Sequence, residues 1–143
     1  MPQVPINYFA VITSAVVSMV LGFVWYGPVF GKQWMKLSGF TEESMKAAKA
    51  KGMTTSYVIM LIGSLVMSYV LAHAIVFASA YLKVTGVKAG LMAGVWNWLG
   101  FVAPVTVGSV LWDNKSWKLW ILNNAYYLCS LLAMGAILTS WQS

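Results

Sequence analysis

The chain has 143 residues, of which 60% are hydrophobic and only 8% are charged, and its mean hydropathy is +0.75. Soluble domains carry about 25% charged residues because water must cover their surface. The composition therefore excludes a soluble globular domain and predicts one transmembrane domain over residues 1–143. The net charge of +6 comes from nine lysines and three acids, without arginine. Arginine is the residue suited to bidentate phosphate recognition, so its absence argues against a nucleic-acid partner. We expect the lysines to contact the bilayer and its anionic lipid headgroups instead.

Four apolar runs are long enough to cross a bilayer, which takes about 20 helical residues. They cover residues 6–26, 54–82, 89–112 and 117–141. The residues before the first run lack the positive region of a cleavable signal peptide, so we expect this run to remain in the mature protein. The runs predict an all-α, polytopic membrane protein with four transmembrane helices.

The connection over residues 27–53 is the only long one. Pro28 cannot donate a backbone hydrogen bond and disfavours helix at the residue before it, so the first helix should end there. Apolar residues then alternate with lysines, which predicts an amphipathic segment at the cytoplasmic membrane surface. Thr41 is a candidate N-cap before two glutamates, and Gly52 is a stop signal. Together they predict an interfacial or cytoplasmic helix over residues 41–51.

Lysines are distributed unequally between the two sides of the predicted bundle. Seven lie on the side of the first and third connections, and only Lys83 and Lys88 lie on the other side. The seven are Lys32, Lys36, Lys46, Lys49, Lys51, Lys115 and Lys118. The positive-inside rule predicts a multi-pass protein of the inner (plasma) membrane, with these loops cytoplasmic and both termini outside.

Small residues recur at four-residue spacing on the first two runs. They are Ala10, Ser14, Ser18 and Gly22 on the first run, and Ser64 and Ser68 on the second. Such stripes let another helix approach closely. Packing within the chain is the default interpretation, and a dimer interface is the alternative.

The first and third runs share a short sequence pattern. Leu-Gly-Phe-Val at residues 21–24 recurs at residues 99–102, and each copy is followed by Pro-Val and then by Lys-x-Trp. The pattern suggests a two-fold repeat of helical hairpins about an axis along the membrane normal. Pro104, in a glycine-rich third run, should kink that helix and free a carbonyl near Gly100.

Polar residues inside the runs are the candidates for function, because a bilayer tolerates few of them. His73 and Asn97 each lie nine residues from the turn joining the second and third runs, so they should share a depth of roughly 13 Å. They could form a polar spot in a conduction path, or an interhelical hydrogen bond. Trp96 and Trp98 flank Asn97 and could line a pocket.

Asn123 and Asn124 enter the fourth run from its cytoplasmic end, where Tyr26 of the first run is also expected. Helix packing is the default interpretation for this group.

Several kinds of chemistry are excluded by what the runs lack. The chain has one histidine and one cysteine, and no carboxylate lies inside any run. A zinc or haem site with several protein ligands therefore has no donors, and we expect neither metal nor cofactor. A catalytic triad would need an acid beside His73, but the acids belong to the opposite face. We expect no catalytic residue and no enzyme.

The break Trp25-Tyr26-Gly27-Pro28, continuing through Phe30-Gly31-Lys32 to Trp34-Met35, resembles the signature of an uncharacterised bacterial integral-membrane family known as a domain of unknown function. Trp98 to Phe101 and Trp117 to Trp120 resemble the second signature of the same family. The resemblance covers nearly the whole chain. It implies a four-helix membrane domain and brings no activity, cofactor or catalytic residue.

Two functions remain open from the sequence. One is a passive channel or facilitator built as a homo-oligomer, because four helices rarely enclose a hydrated path alone. The alternative is a non-catalytic accessory or scaffold subunit of a larger membrane complex, with residues 27–53 as its docking face. Neither interpretation names a substrate.

Overall fold

The computed structural model describes residues 4–141, and every regular element among them is helical. The helices are α1 (Tyr8–Val24), α2 (Gly31–Ser38), α3 (Glu42–Ala50), α4 (Thr54–Leu82), α5 (Gly86–Asn97), α6 (Ala103–Thr106), α7 (Gly108–Leu111) and α8 (Trp117–Ser140). Two π-helical turns, Trp25–Val29 and Trp98–Val102, extend α1 and join α5 to α6. Four segments are long and apolar enough to cross a membrane: Tyr8–Val29, Thr54–Leu82, Gly86–Leu111 and Trp117–Ser140. The predicted all-α, four-span architecture is confirmed.

The sequence predicted that the first span would end before Pro28, but the span continues through this proline. Gly27 and Pro28 both lie within the first π turn, in which the Phe30 N–H donates to the Trp25 carbonyl oxygen at 2.8 Å. A proline ring normally clashes with the carbonyl four residues earlier. The wider π loop relieves that clash, so the helix continues through Pro28.

The third span begins at Gly86, three residues before the predicted start. Thr85 is extended, Lys83 is left-handed with a φ of 58°, and the helix follows directly. The predicted turn over residues 83–88 is therefore shorter than expected. The second span matches its predicted bounds, and the fourth ends one residue early.

The long connection folds into the helices α2 and α3. Thr41 caps α3 as predicted: its Oγ1 accepts from the Ser44 N–H at 3.1 Å, and the Ser44 Oγ accepts from the Thr41 N–H at 3.0 Å. Gly52 follows α3 with a φ of 86°, a left-handed conformation that favours glycine. Because α3 has no extensive interface with another described helix, it stands off from the spans.

The four spans pack as a bundle in which α8 lies against both α5 and α1, and α4 lies against α1 and α5. We call the end with residues 4–7, 83–85 and 141 the terminal end, and the end with α2, α3 and residues 112–116 the connection end. The buried core lies toward the terminal end, around Ala10, Ile75 and Met134. There the Asn7 Nδ2 donates to the Trp141 carbonyl oxygen at 3.1 Å and ties the start of α1 to the end of α8.

The small-residue stripes lie inside this bundle. All of their serines and Ala10 are buried within the single chain, and Gly22 faces the ring of Tyr126. The stripes therefore serve packing within the chain, which was the default interpretation.

Glycines seal the third and fourth spans at the terminal end. A Cβ added to Gly90 would collide with the carbonyl of Gly135, and one added to Gly135 would collide with that of Gly90. One turn further in, a Cβ on Gly94 would lie 2.9 Å from the Leu131 carbonyl oxygen. Here α5 and α8 meet backbone to backbone, which only glycine permits.

The same two spans diverge toward the connection end. The second π turn interrupts the third span, and a further break at Val107 separates α6 from α7. Beyond these breaks α6 and α7 pack far less on α8 than α5 does. The third span therefore leans away from α8 and leaves space between them.

The first and third spans thus each contain a π turn near the connection end. The first π turn follows the Leu-Gly-Phe-Val pattern, whereas the second contains it. The positions are similar but not equivalent, and the two-fold repeat stays a prediction.

Candidate functional site

A cavity of about 560 Å³, the polar cavity, lies between α6, α7 and α8 at the connection end. Its wall combines apolar side chains, such as Val105, Trp112 and Leu119, with hydroxyl and amide groups, and one acid and one lysine belong to the adjoining loop. The polar and charged residues are Thr106, Ser109, Asn123, Asn124 and Tyr127, with Asp113 and Lys115. Two of the asparagines singled out from the sequence therefore line one cavity.

Asn124 is the centre of a hydrogen-bond network on this wall and is only 2% exposed. Its Nδ2 donates to the Thr106 Oγ1 at 3.0 Å, and the Trp120 Nε1 donates to the same oxygen at 3.1 Å. The Thr106 hydroxyl donates in turn to the Val102 carbonyl oxygen at 2.8 Å, at the end of the second π turn. The network joins the broken third span to α8.

Thr106 was not among the residues that the sequence singled out, yet a signal for it exists. It lies seven residues before Asp113, and Asn124 lies eight residues after Ser116. Since Asp113–Ser116 is a short turn between antiparallel helices, the two side chains come to the same depth. The depth argument that paired His73 with Asn97 would have paired Thr106 with Asn124.

Tyr26 and Asn123 meet between the first span and α8. The Tyr26 hydroxyl donates to the Asn123 Oδ1 at 3.0 Å, and its ring lies edge-on to Tyr126 with centroids 5.1 Å apart. The Tyr126 hydroxyl donates to the Ser18 carbonyl oxygen at 3.1 Å, and the hydroxyls of Ser18 and Ser130 share a hydrogen bond. This chain of contacts holds α1 against α8.

A second cavity of about 430 Å³, the apolar cavity, lies between α1, α3 and α4. Methionines and aromatic rings make up most of its wall, together with two glycines and one lysine. These residues are Met19, Gly22, Phe23, Tyr26, Gly27, Trp34, Met45, Lys49, Met53, Tyr57, Met60 and Tyr126. Tyr26 lines the apolar cavity and Asn123 lines the polar one, so their hydrogen bond lies in the partition between the two.

One protein family, described as a protein of unknown function (DUF1761), matches residues 9–139, which include nearly all of the four spans. The chain belongs to the DUF1761 family. The resemblance inferred from the Trp-Tyr-Gly-Pro signature is thereby confirmed. No curated protein and no solved structure matches the chain. The family description names no activity, so a functional argument for this DUF1761 member rests on its cavities.

In this DUF1761 member, His73 and Asn97 do not form the interhelical hydrogen bond that was one of their two interpretations. The His73 Nδ1 pairs with the Tyr69 carbonyl oxygen at 2.9 Å, and the Asn97 Nδ2 donates to the Ala93 carbonyl oxygen at 2.8 Å. Each side chain bonds only its own helix within residues 4–141. Matching depth sets the height of a residue in the bundle but not the rotation of its helix. The interpretation of His73 and Asn97 as an interhelical hydrogen bond is therefore wrong.

His73 and Asn97 instead line separate clefts. His73 lies beside Tyr8 and Tyr69 in a cleft of about 600 Å³, with its ring 4.4 Å from that of Tyr69. Asn97 and Trp96 line a smaller cleft of about 210 Å³ between α4 and α5. Neither cleft joins the hydrogen-bond network of Asn124.

The remaining candidates of the third span have different surroundings. Trp96 is 65% exposed, whereas Trp98 packs against the buried core. Pro104 is exposed in the first turn of α6, just after the second π turn. Across residues 4–141, no group of three or more histidine, cysteine, aspartate or glutamate side chains could hold a metal ion.

Proposed function

We propose that this protein is a passive facilitator for small, neutral, hydrogen-bonding solutes, and that it works as a homo-oligomer without catalytic chemistry. One observation carries the proposal. The third and fourth spans are sealed at the terminal end by Gly90 and Gly135, and they diverge at the connection end around a cavity walled by the buried Asn124.

The irregular backbone beside the polar cavity supports this proposal. At membrane depth, non-helical or broken backbone is tolerated where it is buried in protein or lines a water-filled cavity. The second π turn and the break at Val107 both occur in the span that borders the polar cavity. Discontinuous helices at a binding cavity are also a recurring feature of secondary transporters.

The lining residues indicate the class of solute. Ser109, Asn123 and Tyr127 present hydroxyl and amide groups on the wall, and the charges of Asp113 and Lys115 are opposite in sign. A neutral solute that exchanges hydrogen bonds with water fits such a wall better than an ion. The spans contain no carboxylate to carry a coupled proton, so we propose passive transport.

The filled interior of one chain supports the proposal of a homo-oligomer. Ser14, Ser68 and Met134 are completely buried toward the terminal end, so the bundle axis holds packed side chains and not a path. A solute that enters the polar cavity would leave along an interface with a second copy, beside the exposed Val105 and Trp112. We further propose that the connection end faces the cytoplasm of a plasma membrane, because it carries seven of nine lysines.

The second candidate is an accessory or scaffold subunit, and α3 is the observation that favours it. This helix is exposed over almost its whole length and stands off from the spans. It therefore offers a free amphipathic surface for a membrane-protein partner.

Osmotic swelling of proteoliposomes would test the facilitator. Purified protein should speed the entry of urea or glycerol, measured by stopped-flow light scattering, relative to protein-free vesicles. Ser109→Leu should return the rate toward that of empty vesicles, because the side chain lies on the cavity wall. Ser140→Leu, at an exposed position of α8, is the matched control and should swell like the wild type.

The accessory role makes the opposite prediction in the same experiment. Wild-type vesicles would then swell no faster than empty ones for any neutral solute tested. A partner protein that co-purifies in stoichiometric amounts would then support docking through α3.

A further inference from the structure

The apolar cavity lies on the other side of α8 from the polar cavity and has no part in the proposed function. Four methionines contribute to its wall: Met19 from α1, Met45 from α3, Met53 from the residue before α4, and Met60 from α4. Methionine side chains are flexible and polarizable, so they adapt to ligands of varied shape. Together with the aromatic rings they form a wall that can enclose an apolar chain.

The apolar cavity stays unfilled because of a glycine on its wall and because of the position of α3. Gly27, in the first π turn, adds no side chain to the wall, and a Cβ placed there would meet no atom within 4 Å. On the opposite side α3 contributes Met45 and Lys49 without packing on α1 or α4. The cavity is therefore preformed between α1 and α4, which pack on each other, and α3, which does not close onto them.

Lys49 gives the cavity its electrostatic character. It is the one charged residue among those that line the cavity within residues 4–141. It belongs to α3, which lies outside the spans, so its ammonium group is on the membrane-surface side of the apolar wall. The two glutamates of α3 are at the other end of that helix and do not line the cavity.

From this arrangement we propose that the apolar cavity binds a long-chain fatty acid, with the acyl chain against the methionines and aromatic rings and the carboxylate beside Lys49. Cavities of about 300–1,000 Å³ take drug-sized ligands, and 430 Å³ lies toward the lower end of that range. The volume therefore favours one acyl chain over a two-chain phospholipid. A buried chain gains hydrophobic free energy with each methylene group, and the lysine selects an anionic head.

Thioether sulfurs are also ligands for soft cations such as Cu(I). The positive charge of Lys49 on the same wall opposes a bound cation and favours an anion. The observations therefore support the fatty acid, and a soft metal becomes an outcome that the experiment can show.

Tryptophan quenching tests the site in the full chain, reconstituted in nanodiscs of zwitterionic lipid. The probe is stearic acid brominated at mid-chain, which quenches indoles in contact with the chain, and Trp34 is on the cavity wall. We expect saturable quenching by the acid and much weaker quenching by its uncharged methyl ester. Lys49→Gln should weaken binding about tenfold, as expected for one charge-assisted hydrogen bond. Lys46→Gln, on the same helix at a position that does not line the cavity, should bind like the wild type.

A second pair of variants tests the cavity itself. Gly27→Leu should abolish saturable quenching, because the new side chain occupies the space of the acyl chain. Gly100→Leu is the matched control, since Gly100 lies in the second π turn and a Cβ there also meets nothing within 4 Å. It should retain the binding of the wild type.

Three results would overturn the proposal: equal quenching by acid and ester, saturable quenching that persists in Gly27→Leu, or displacement of the acid by Ag⁺, a stand-in for Cu(I). Uniform quenching in every variant, as from partition into the bulk lipid, also contradicts a site. Gly27→Leu proteoliposomes should swell like the wild type in the presence of a neutral solute. The fatty-acid site and the facilitator function are therefore tested independently.

Discussion

Thr106 receives two hydrogen bonds from α8, from the side chains of Asn124 and Trp120, while its own hydroxyl reaches back to the Val102 carbonyl. A hydroxyl has two acceptor lone pairs and one donor hydrogen, so this residue uses its full capacity. At the scale of single residues, it is the link between the irregular third span and the regular fourth.

Thr106→Val should therefore destabilise the protein. The variant leaves two donors of α8 without their acceptor, and we expect a loss of about 1–2 kcal/mol in the free energy of unfolding. Unfolding by SDS in mixed micelles measures this. Thr13→Val is the matched control: Thr13 is half-buried in α1 and makes no side-chain hydrogen bond among the described residues. Equal stability of the two variants would contradict a structural role for the network.

His73→Ala should have little effect on stability, in contrast to Thr106→Val. The His73 ring bonds only the carbonyl of Tyr69 in its own helix and lies edge-on to the exposed ring of Tyr69. Its removal breaks no bond between helices, so we expect a change within about 0.5 kcal/mol. The same SDS titration applies, and a loss above 1 kcal/mol would show an interhelical role that the contacts lack.

At the scale of the elements, the two ends of the spans differ in how they pack. At the terminal end α5 meets α8 through glycine, whereas toward the connection end π turns interrupt the first and third spans. The close contact leaves no space between α5 and α8 at the terminal end. The π turns shift the following residues out of α-helical register and let the spans separate. The close contact and the gap thus belong to different segments of the same two spans, the third and the fourth.

Gly135→Ala tests the sealed contact. The added methyl collides with backbone of Gly90, which cannot move like a flexible side chain, so we expect a loss of about 1–3 kcal/mol in unfolding free energy. Gly63→Ala is the matched control, because a Cβ on Gly63 meets nothing within 4 Å. It should leave stability unchanged or raise it by up to about 1 kcal/mol through helix propensity. A tolerated Gly135→Ala would mean that the helices can separate at low cost.

At the scale of the whole molecule, the bundle is asymmetric between its two ends. The core and the hydrogen bond between Asn7 and Trp141 are at the terminal end, whereas the polar cavity, the apolar cavity, α2, α3 and most lysines are at the connection end. The proposed orientation thus gives the cavities access from the cytoplasmic side.

Cysteine labelling tests that orientation. In a Cys129→Ser background, Lys83→Cys should react with an impermeant maleimide in intact cells, and Lys46→Cys should react only after permeabilisation. Both positions are exposed and lie at opposite ends of the bundle. The background variant alone should stay unlabelled, and a reversed pattern would contradict the cytoplasmic placement of the connection.

The sequence by itself determined the class of protein and the number of spans, because length and apolarity decide whether a helix can cross a bilayer. It also determined the family, through Trp25–Pro28 and the matching span pattern, and the cap at Thr41, because capping depends on residues close in the chain. These features depend on composition and local sequence.

Only the tertiary structure decided which polar residues meet. His73 and Asn97 share a depth but point into different clefts, whereas Thr106 and Asn124 bond each other. Helix rotation, and the register shift at each π turn, depend on how all four spans pack, and no periodicity in one segment reports them. Each cavity borders a span that carries a π turn, the third span for the polar cavity and the first span for the apolar cavity.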